Sequence, residues 1–194
     1  MNKDTAWRIA MKIRQAMSQY QQRELLTGIV EIDEAYIGGK PRKEFKGQQH
    51  PRGMGSPKIP VVGMVERGGK VKARVVKKED LKCKKLSALV RSCVDIKNCT
   101  VMTDEFGGYF YLKDFVDHKI VRKTIWYVNG DIHVNNIESF WALLKRGIVG
   151  QFHKVSLKHL PKYVDEFCYR YNERKTDRQI LFNTTIQKGL RLWQ

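Results

Sequence analysis

From Gly28 the chain alternates apolar and polar positions through Ile29-Val30-Glu31-Ile32-Asp33, which predicts a strand ending at Asp33, and Gly38-Gly39 closes the segment that follows. Two further apolar runs, Ile59 to Val65 and Val71 to Val76, flank Arg67-Gly68-Gly69-Lys70. Glycine takes the positive φ of a tight turn without strain, so these runs read as a hairpin and the first three strands as a meander. Leu86, Leu89, Val90 and Cys93 recur at helical spacing within Leu81 to Val94, and Thr100-Val101-Met102-Thr103 is a short strand running into Asp104. A helix from Gly108 to about Phe115 and a strand near Thr124 to Val128 come next, before two long helices over Asn135 to Ile148 and about Leu157 to Tyr171. Ahead of all these, Trp7, Ile9 or Ala10, Ile13 or Arg14, and Met17 mark a short amphipathic helix from Thr5 to about Gln22. It is too short for a complete helix-turn-helix and reads as a brace on the main domain or the remnant of a longer N-terminal region. The expected organisation is a helical segment over 1–26 and one cored domain over 27–194.

The β-β-β-α-β-α-β-α order predicts an α/β domain of the RNase H-like kind, a mixed five-stranded sheet with flanking helices. That fold pairs its first and fourth strands in parallel, so acids at their ends meet. Asp33 ends the first strand, Asp104 follows the fourth, and Glu138 stands near the start of a late helix. Such carboxylates suit Mg2+, which takes hard oxygen ligands in near-octahedral geometry. Two such ions ~3.5–4 Å apart activate a water or 3′-hydroxyl and stabilise the leaving oxygen of an in-line displacement. Each acid also has a plainer reading. Asp33 with Glu34 can mark a turn, Asp104 with Glu105 can cap a helix, and Glu138 can be the N3 partner of Asn135 in a capping box. Ile137, Phe140, Trp141, Leu144 and Ile148 form the buried stripe of the late helix, while Glu138 and Lys145, seven residues apart, share another face. Lys145 and Arg146 are therefore candidates for phosphate contacts beside the acids, with ordinary exposed side chains as the alternative. His133 either contacts the scissile phosphate, donates to an acid, or is structural.

Charge sharpens this picture. The 194 residues carry 37 Lys or Arg against 20 Asp or Glu, a net +17. Residues 40–85 hold 15 basic and 4 acidic residues, and residues 110–194 hold 15 and 8, with a slightly acidic stretch between them. Two basic regions around an acidic centre suit a metal-holding core flanked by phosphate contacts. With 42% hydrophobic residues the charge belongs to a folded body, and a polyanion is the expected partner. No stretch approaches the ~20 apolar residues of a membrane span. The opening MNKDTAWR has no apolar signal core, so a cytoplasmic, non-membrane protein is expected, nucleoid-associated when bound to DNA. Cys83, Cys93, Cys99 and Cys168 form no CxxC pair and are expected as four inert, buried thiols. The segment KPRKEFKGQQHPRGMGSP at 40–57 lacks any apolar period and reads as a long basic loop beside the first acid, with Lys40, Arg42, Lys43 and Lys46 as DNA contacts. In 162–178, Tyr163, Phe167 and Tyr171 lie on one helical face and close the core, presenting Arg174 outward as a DNA contact, with Asn135 a further candidate contact; stacking of these rings on bases is the alternative.

The segments IVEIDEAYIGGK at 29–40, VMTDEFGGY at 101–109, HVNNIESFWALLKRGIVGQFHKVSLKHL at 133–160 and DEFCYRYNER at 165–174 resemble the IS1595 family of bacterial insertion-sequence transposases, the ISXO2-like transposase domain. The resemblance covers most of residues 29–174. It implies a DDE-type catalytic domain whose acid triad falls on Asp33, Asp104 and Glu138, with Lys145 as its basic residue. The 34-residue interval from Asp104 to Glu138 resembles the spacing of DDE transposases. Some relatives carry Asn at the third acid; here it is Glu138, with Asn135 and Asn136 able to assist.

The activity so implied is metal-dependent cleavage at element ends followed by 3′-OH strand transfer into target DNA. Mg2+, or Mn2+ in its place, would act as two ions per site once DNA is bound. The partners would be double-stranded DNA, as element ends and target, and a second copy of the chain in a homodimer or higher oligomer. The resemblance also implies a zinc-binding, DNA-recognition segment ahead of this region, for which no cysteines are present. That points to a shortened element or to end recognition by a separate chain. The competing readings are a nuclease or resolvase that cuts without joining, and a catalytically idle DNA-binding remnant. The basic loop yields a first prediction: replacing Lys40, Arg42, Lys43 and Lys46 by Ala weakens DNA binding and flattens log Kd against log salt by up to about 3–4, measured by fluorescence anisotropy. A wild-type slope would remove the loop from the interface.

Overall fold

The hairpin forms where the alternation predicts it. β2 (Ile59–Glu66) and β3 (Val71–Val75) pair antiparallel, with Gly68 at φ 71° in the turn and Glu66 N–H donating to Lys70 O at 2.9 Å. The computed structural model describes residues 1–18, 24–38, 53–121 and 133–191. β1 (Leu26–Ile37) pairs antiparallel with β2 on one side and parallel with β4 (Val94–Thr103) on the other, and β5 (Asp117–Ile120) adds in parallel to β4. The resulting order, β3-β2-β1-β4-β5 with three antiparallel strands followed by two parallel ones, is the RNase H-like sheet.

Helices cover both faces. The helices are α1 (Lys3–Ser18), α2 (Cys83–Cys93), α3 (Asn135–Gly150), α4 (Leu160–Asn172) and α5 (Arg178–Arg191). α3 and α4 close one side of the sheet over Ala35, Ile37, Val61, Val65 and Val71, and the predicted stripe from Ile137 to Ile148 is the buried face of α3. α2 and a 3-10 helix at Gly107–Asp114 close the other side over Val30, Ile32, Val62, Met64 and Val101. Gly147 leaves room on α3 for the Phe167 ring of α4, since a Cβ there would stand 2.0 Å from Phe167 Cζ.

α1 braces α4 through a buried charge. Arg14 Nε donates to Glu166 Oε2 at 2.7 Å, its guanidinium lies 4.2 Å from the centroid of the Tyr163 ring, and Arg170 holds the other oxygen of Glu166 at 2.6 Å. The buried positions of α1 are thus Met11, Arg14 and Ala16, while Trp7 is 47% exposed and meets the edge of His159.

Several expectations change. β1 does not end at Asp33: β2 continues to pair with it as far as Ile37, where Ala35 and Ile37 are buried. The described fifth strand is Asp117–Ile120, and the strand expected at 124–128 lies outside the described residues, as do positions 40–52 of the basic loop. Of the four thiols, Cys93 and Cys168 are buried whereas Cys83 and Cys99 are half-exposed. α5 was not anticipated, and it buries none of its residues. Among the described residues no helix is long and apolar enough to cross a membrane.

On α4, burial pushes the Asp165 carboxyl up to about 6, with Arg74 pulling the other way. A carboxyl raised above its unfolded value favours the fold below pH ~4, and that contribution is lost as pH climbs through about 6. Asp165→Asn should therefore raise stability by about 1–2 kcal/mol at pH 7.5, allowing for partial solvent screening, and leave it nearly unchanged at pH 4. Urea midpoints at the two pH values check this.

Candidate active site

The parallel pairing of β1 with β4 sets the geometry. Ile32 is opposite Thr103 in the register, so Asp33 and Asp104 come next on adjacent strands. β4 stops there because Asp104 Oδ1 accepts the Phe106 N–H at 3.0 Å, a side-chain turn that ends the ladder. β1 continues along β2, and its edge beyond Asp33 borders a cleft of about 320 Å³ lined by Glu34, Tyr36, Met54, Asp104 and Phe106 among others.

Asp33, Glu34 and Asp104 each bring a carboxylate oxygen within 4.8 Å of the other two. Oxygens on one octahedral Mg2+ stand roughly 3–4 Å apart, so this hard-oxygen set fits a divalent ion after a shift of about 1 Å. Its electrostatics point the same way. Burial, followed by the negative charges of Asp33 and Asp104, pushes the Glu34 carboxyl up to about 7. A cation among the three would relieve that repulsion. Tyr109, fully buried on the 3-10 helix, donates its O–H to Glu34 Oε2 at 2.9 Å. Burial, reinforced by Glu34, lifts the Tyr36 phenol to about 12 and holds Tyr109 well above its ordinary value, so both remain donors. On the other face of β1, Trp141 Nε1–H donates to Asp33 Oδ2 at 3.1 Å.

Glu138 is half-buried in the first turn of α3, outside the 4.8 Å cluster. The Asn135–Glu138 capping box does not form, because Val134 is the N-cap and no side chain caps the helix from that position. The cap comes from β1 instead. Glu31, 0% exposed, accepts the backbone N–H groups of Asn136 at 2.8 Å and Ile137 at 3.2 Å through Oε2. Its Oε1 accepts from Asn136 Nδ2 at 2.8 Å and Arg67 Nε at 2.8 Å. Arg67 also donates to His133 O at 3.0 Å, and His133 Nδ1 lies 3.3 Å from Glu31 Oε1. The ring of His133 is thus turned toward this buried carboxylate.

The remaining sequence candidates scatter. Lys145 and Arg146 are exposed on α3 about two turns beyond Glu138, and Asn135 is exposed at its first position. Arg174 is exposed but engaged: it donates to Gly69 O and Tyr171 O at 3.0 and 2.8 Å, tying the end of α4 to the β2–β3 hairpin. Lys40, Arg42, Lys43 and Lys46 lie outside the described residues. In the sequence Glu34 enters only through the alternative reading of a turn beside Asp33, and Glu31, Tyr109 and Gly63 carry no assigned role. Two signals were present: an acid on the alternating buried face of β1, and a glycine in mid-strand, which marks close approach of another group.

The sheet order defines an RNase H-like domain. Residues 25–172 match the ISXO2-like transposase domain, and the chain belongs to that family. It is 29% identical over 160 residues to an uncharacterized protein in transposable element ISH50 of Halobacterium salinarum, a match covering 76% of this chain and 53% of that protein. The chain thus spans about half the length of this curated relative. Similar solved structures include the Mos1 strand transfer complex, at 12% identity and TM-score 0.40 over 95% of this chain and 59% of that one. Another is the Mos1 transposase paired-end complex with left transposon end, at 12% identity and TM-score 0.37 over 97% and 63%.

Removing Glu31 would leave the Arg67 guanidinium and the first N–H groups of α3 without their carboxylate. Glu31→Ala should cost about 3–5 kcal/mol, read from urea unfolding. A loss under about 1 kcal/mol would show that α3 is held by its apolar stripe alone.

Proposed function

We propose that this domain is the catalytic part of a DNA transposase that cuts DNA at the ends of an insertion sequence and joins the resulting 3′-hydroxyls to target DNA. The observation that carries the reading is the side-by-side placement of Asp33 and Asp104 where β1 and β4 part, with a third carboxylate oxygen from Glu34 in the same cluster. Membership in the ISXO2-like transposase domain family supports it. Asp33 and Asp104 would hold divalent ions, and Glu138 would complete the set from the first turn of α3. Such ions, when bound, supply Lewis-acid charge at the scissile phosphate and a more acidic attacking water or 3′-hydroxyl.

The chain's own groups supply the rest. Lys145 and Arg146, exposed on α3, bind phosphates and fix the register of the strand entering the cleft, without reading sequence. The net +17 draws double-stranded DNA to the surface, so binding weakens as salt rises. Tyr109 holds Glu34 at the edge of the cleft. Joining two element ends calls for at least two copies of the domain on one DNA assembly.

The test is Mg2+- or Mn2+-dependent nicking and strand transfer on element-end DNA by Asp33→Ala, Asp104→Ala and Glu138→Ala. Each should lose at least about 100-fold in both steps, equivalent to several kcal/mol of charge stabilisation, while DNA affinity stays within a few-fold. An unchanged rate removes that residue from the site. Nicked DNA without joined product from the wild type would make the protein a nuclease, and tight DNA binding without cleavage would make it an idle remnant.

A further inference from the structure

Gly63 on β2 is the cross-strand partner of Asp33 on β1, so the two share a face of the sheet. A Cβ at position 63 would stand 2.6 Å from both Cη2 and Cζ2 of Trp141 and 2.9 Å from Ile137 Cδ1. The indole therefore fills the space that any other residue opposite Asp33 would occupy. It is 3% exposed, packed against Phe140, and its Nε1–H meets Asp33 Oδ2 at 3.1 Å. A buried indole N–H needs an acceptor, and here it takes a carboxylate of the acidic cluster.

From this we infer that Trp141 is the positioning residue for Asp33: its N–H, seated over Gly63, fixes the plane of that carboxylate for ion binding. The inference rests on the reading of Asp33 as a metal ligand. Its physical basis is that a ligating carboxylate is oriented by the donor on its outer side, and that such a donor commonly changes metal affinity 10–100-fold. Gly63 and Trp141 act as a pair. The glycine lets the helix side chain reach the strand, and the rigid ring, held on several sides, leaves its single donor one direction in which to point. The same contact ties the face of α3 that follows Glu138 to the strand bearing Asp33.

The experiment compares wild type, Trp141→Phe and Asp33→Asn by counting free Mn2+ with electron paramagnetic resonance, in the absence of DNA. Trp141→Phe keeps an aromatic ring over Gly63 and removes the donor; its Mn2+ affinity should fall about tenfold. With DNA present, kcat for nicking should fall while KM for DNA holds. In wild-type protein labelled with 15N at the tryptophan indoles, Mg2+ should shift one indole N–H resonance, and Asp33→Asn should abolish that shift. This readout does not depend on the Phe variant folding. Wild-type Mn2+ affinity in Trp141→Phe, or the absence of any moving indole signal while Mg2+ binds, overturns the inference and leaves the transposase reading intact. Wild-type Mn2+ affinity in Asp33→Asn removes Asp33 from the ion site, and the proposed chemistry falls with the inference.

Discussion

A single buried carboxylate, Glu31, decides how α3 lies on the sheet. Desolvating a lone carboxylate costs several kcal/mol, so its burial at 0% exposure requires compensation from every side. Arg67 supplies the opposite charge, Asn136 an amide, and the first turn of α3 two backbone N–H groups with the positive end of the helix dipole behind them. The arrangement works in both directions: the helix end is capped by the strand, and the strand's buried charge is solvated by the helix. Because hydrogen bonds are directional and the apolar stripe of α3 is not, this network rather than the stripe fixes where along β1 the helix begins.

That fixed starting point places the acidic cluster. Asp33 is two residues beyond Glu31 on the same face of β1, and Trp141, nearly two turns into α3, reaches it. Glu34 faces the opposite side, where Tyr109 from the 3-10 helix meets it. Each of the two neighbouring acids is therefore oriented by a different layer of the fold. They approach Asp104 because β4 ends at that level and β1 does not. The strand's open edge is where carboxylates can gather without burying a backbone group that lacks a partner.

The sequence carried the sheet better than the site. Alternation in β2 and β3 and the Arg67–Lys70 turn are local signals, and they predicted the hairpin. The parallel neighbourhood of β1 and β4 followed from element order, which brought Asp33 and Asp104 onto one level. The end of β1 was misplaced because the alternation breaks at Glu34, although pairing with β2 holds the strand to Ile37. The Asn135–Glu138 spacing matches a capping box, but Glu31, more than a hundred residues earlier, satisfies those donors first. No local pattern encodes a cap supplied across the sheet. α5 was missed for a related reason: with none of its residues buried, its apolar positions follow no core-facing stripe. The pairing of Gly63 with Asp33 likewise depends on strand register, which single-strand periodicity leaves open.

The outer layer obeys the same rule as the centre, with polar groups placed where they anchor one element to another. Arg14 is buried under α4 against Glu166, and Arg174 is turned back onto the hairpin carbonyls, although both belong by type to a surface that greets a polyanion. A residue count assigns every arginine of the +17 chain equally to DNA. The structure divides them: Arg14 ties α1 to α4, Arg67 ties the hairpin turn to β1 and Arg174 ties the end of α4 to the hairpin, whereas Lys145 and Arg146 stay exposed on α3, the helix whose first turn carries Glu138. The first group is fixed in direction by its partners, Arg14 and Arg67 largely out of water and Arg174 at the surface, whereas the second keeps its water. Net charge alone does not separate these two populations, because it counts a charge fixed in a network and a solvated one alike.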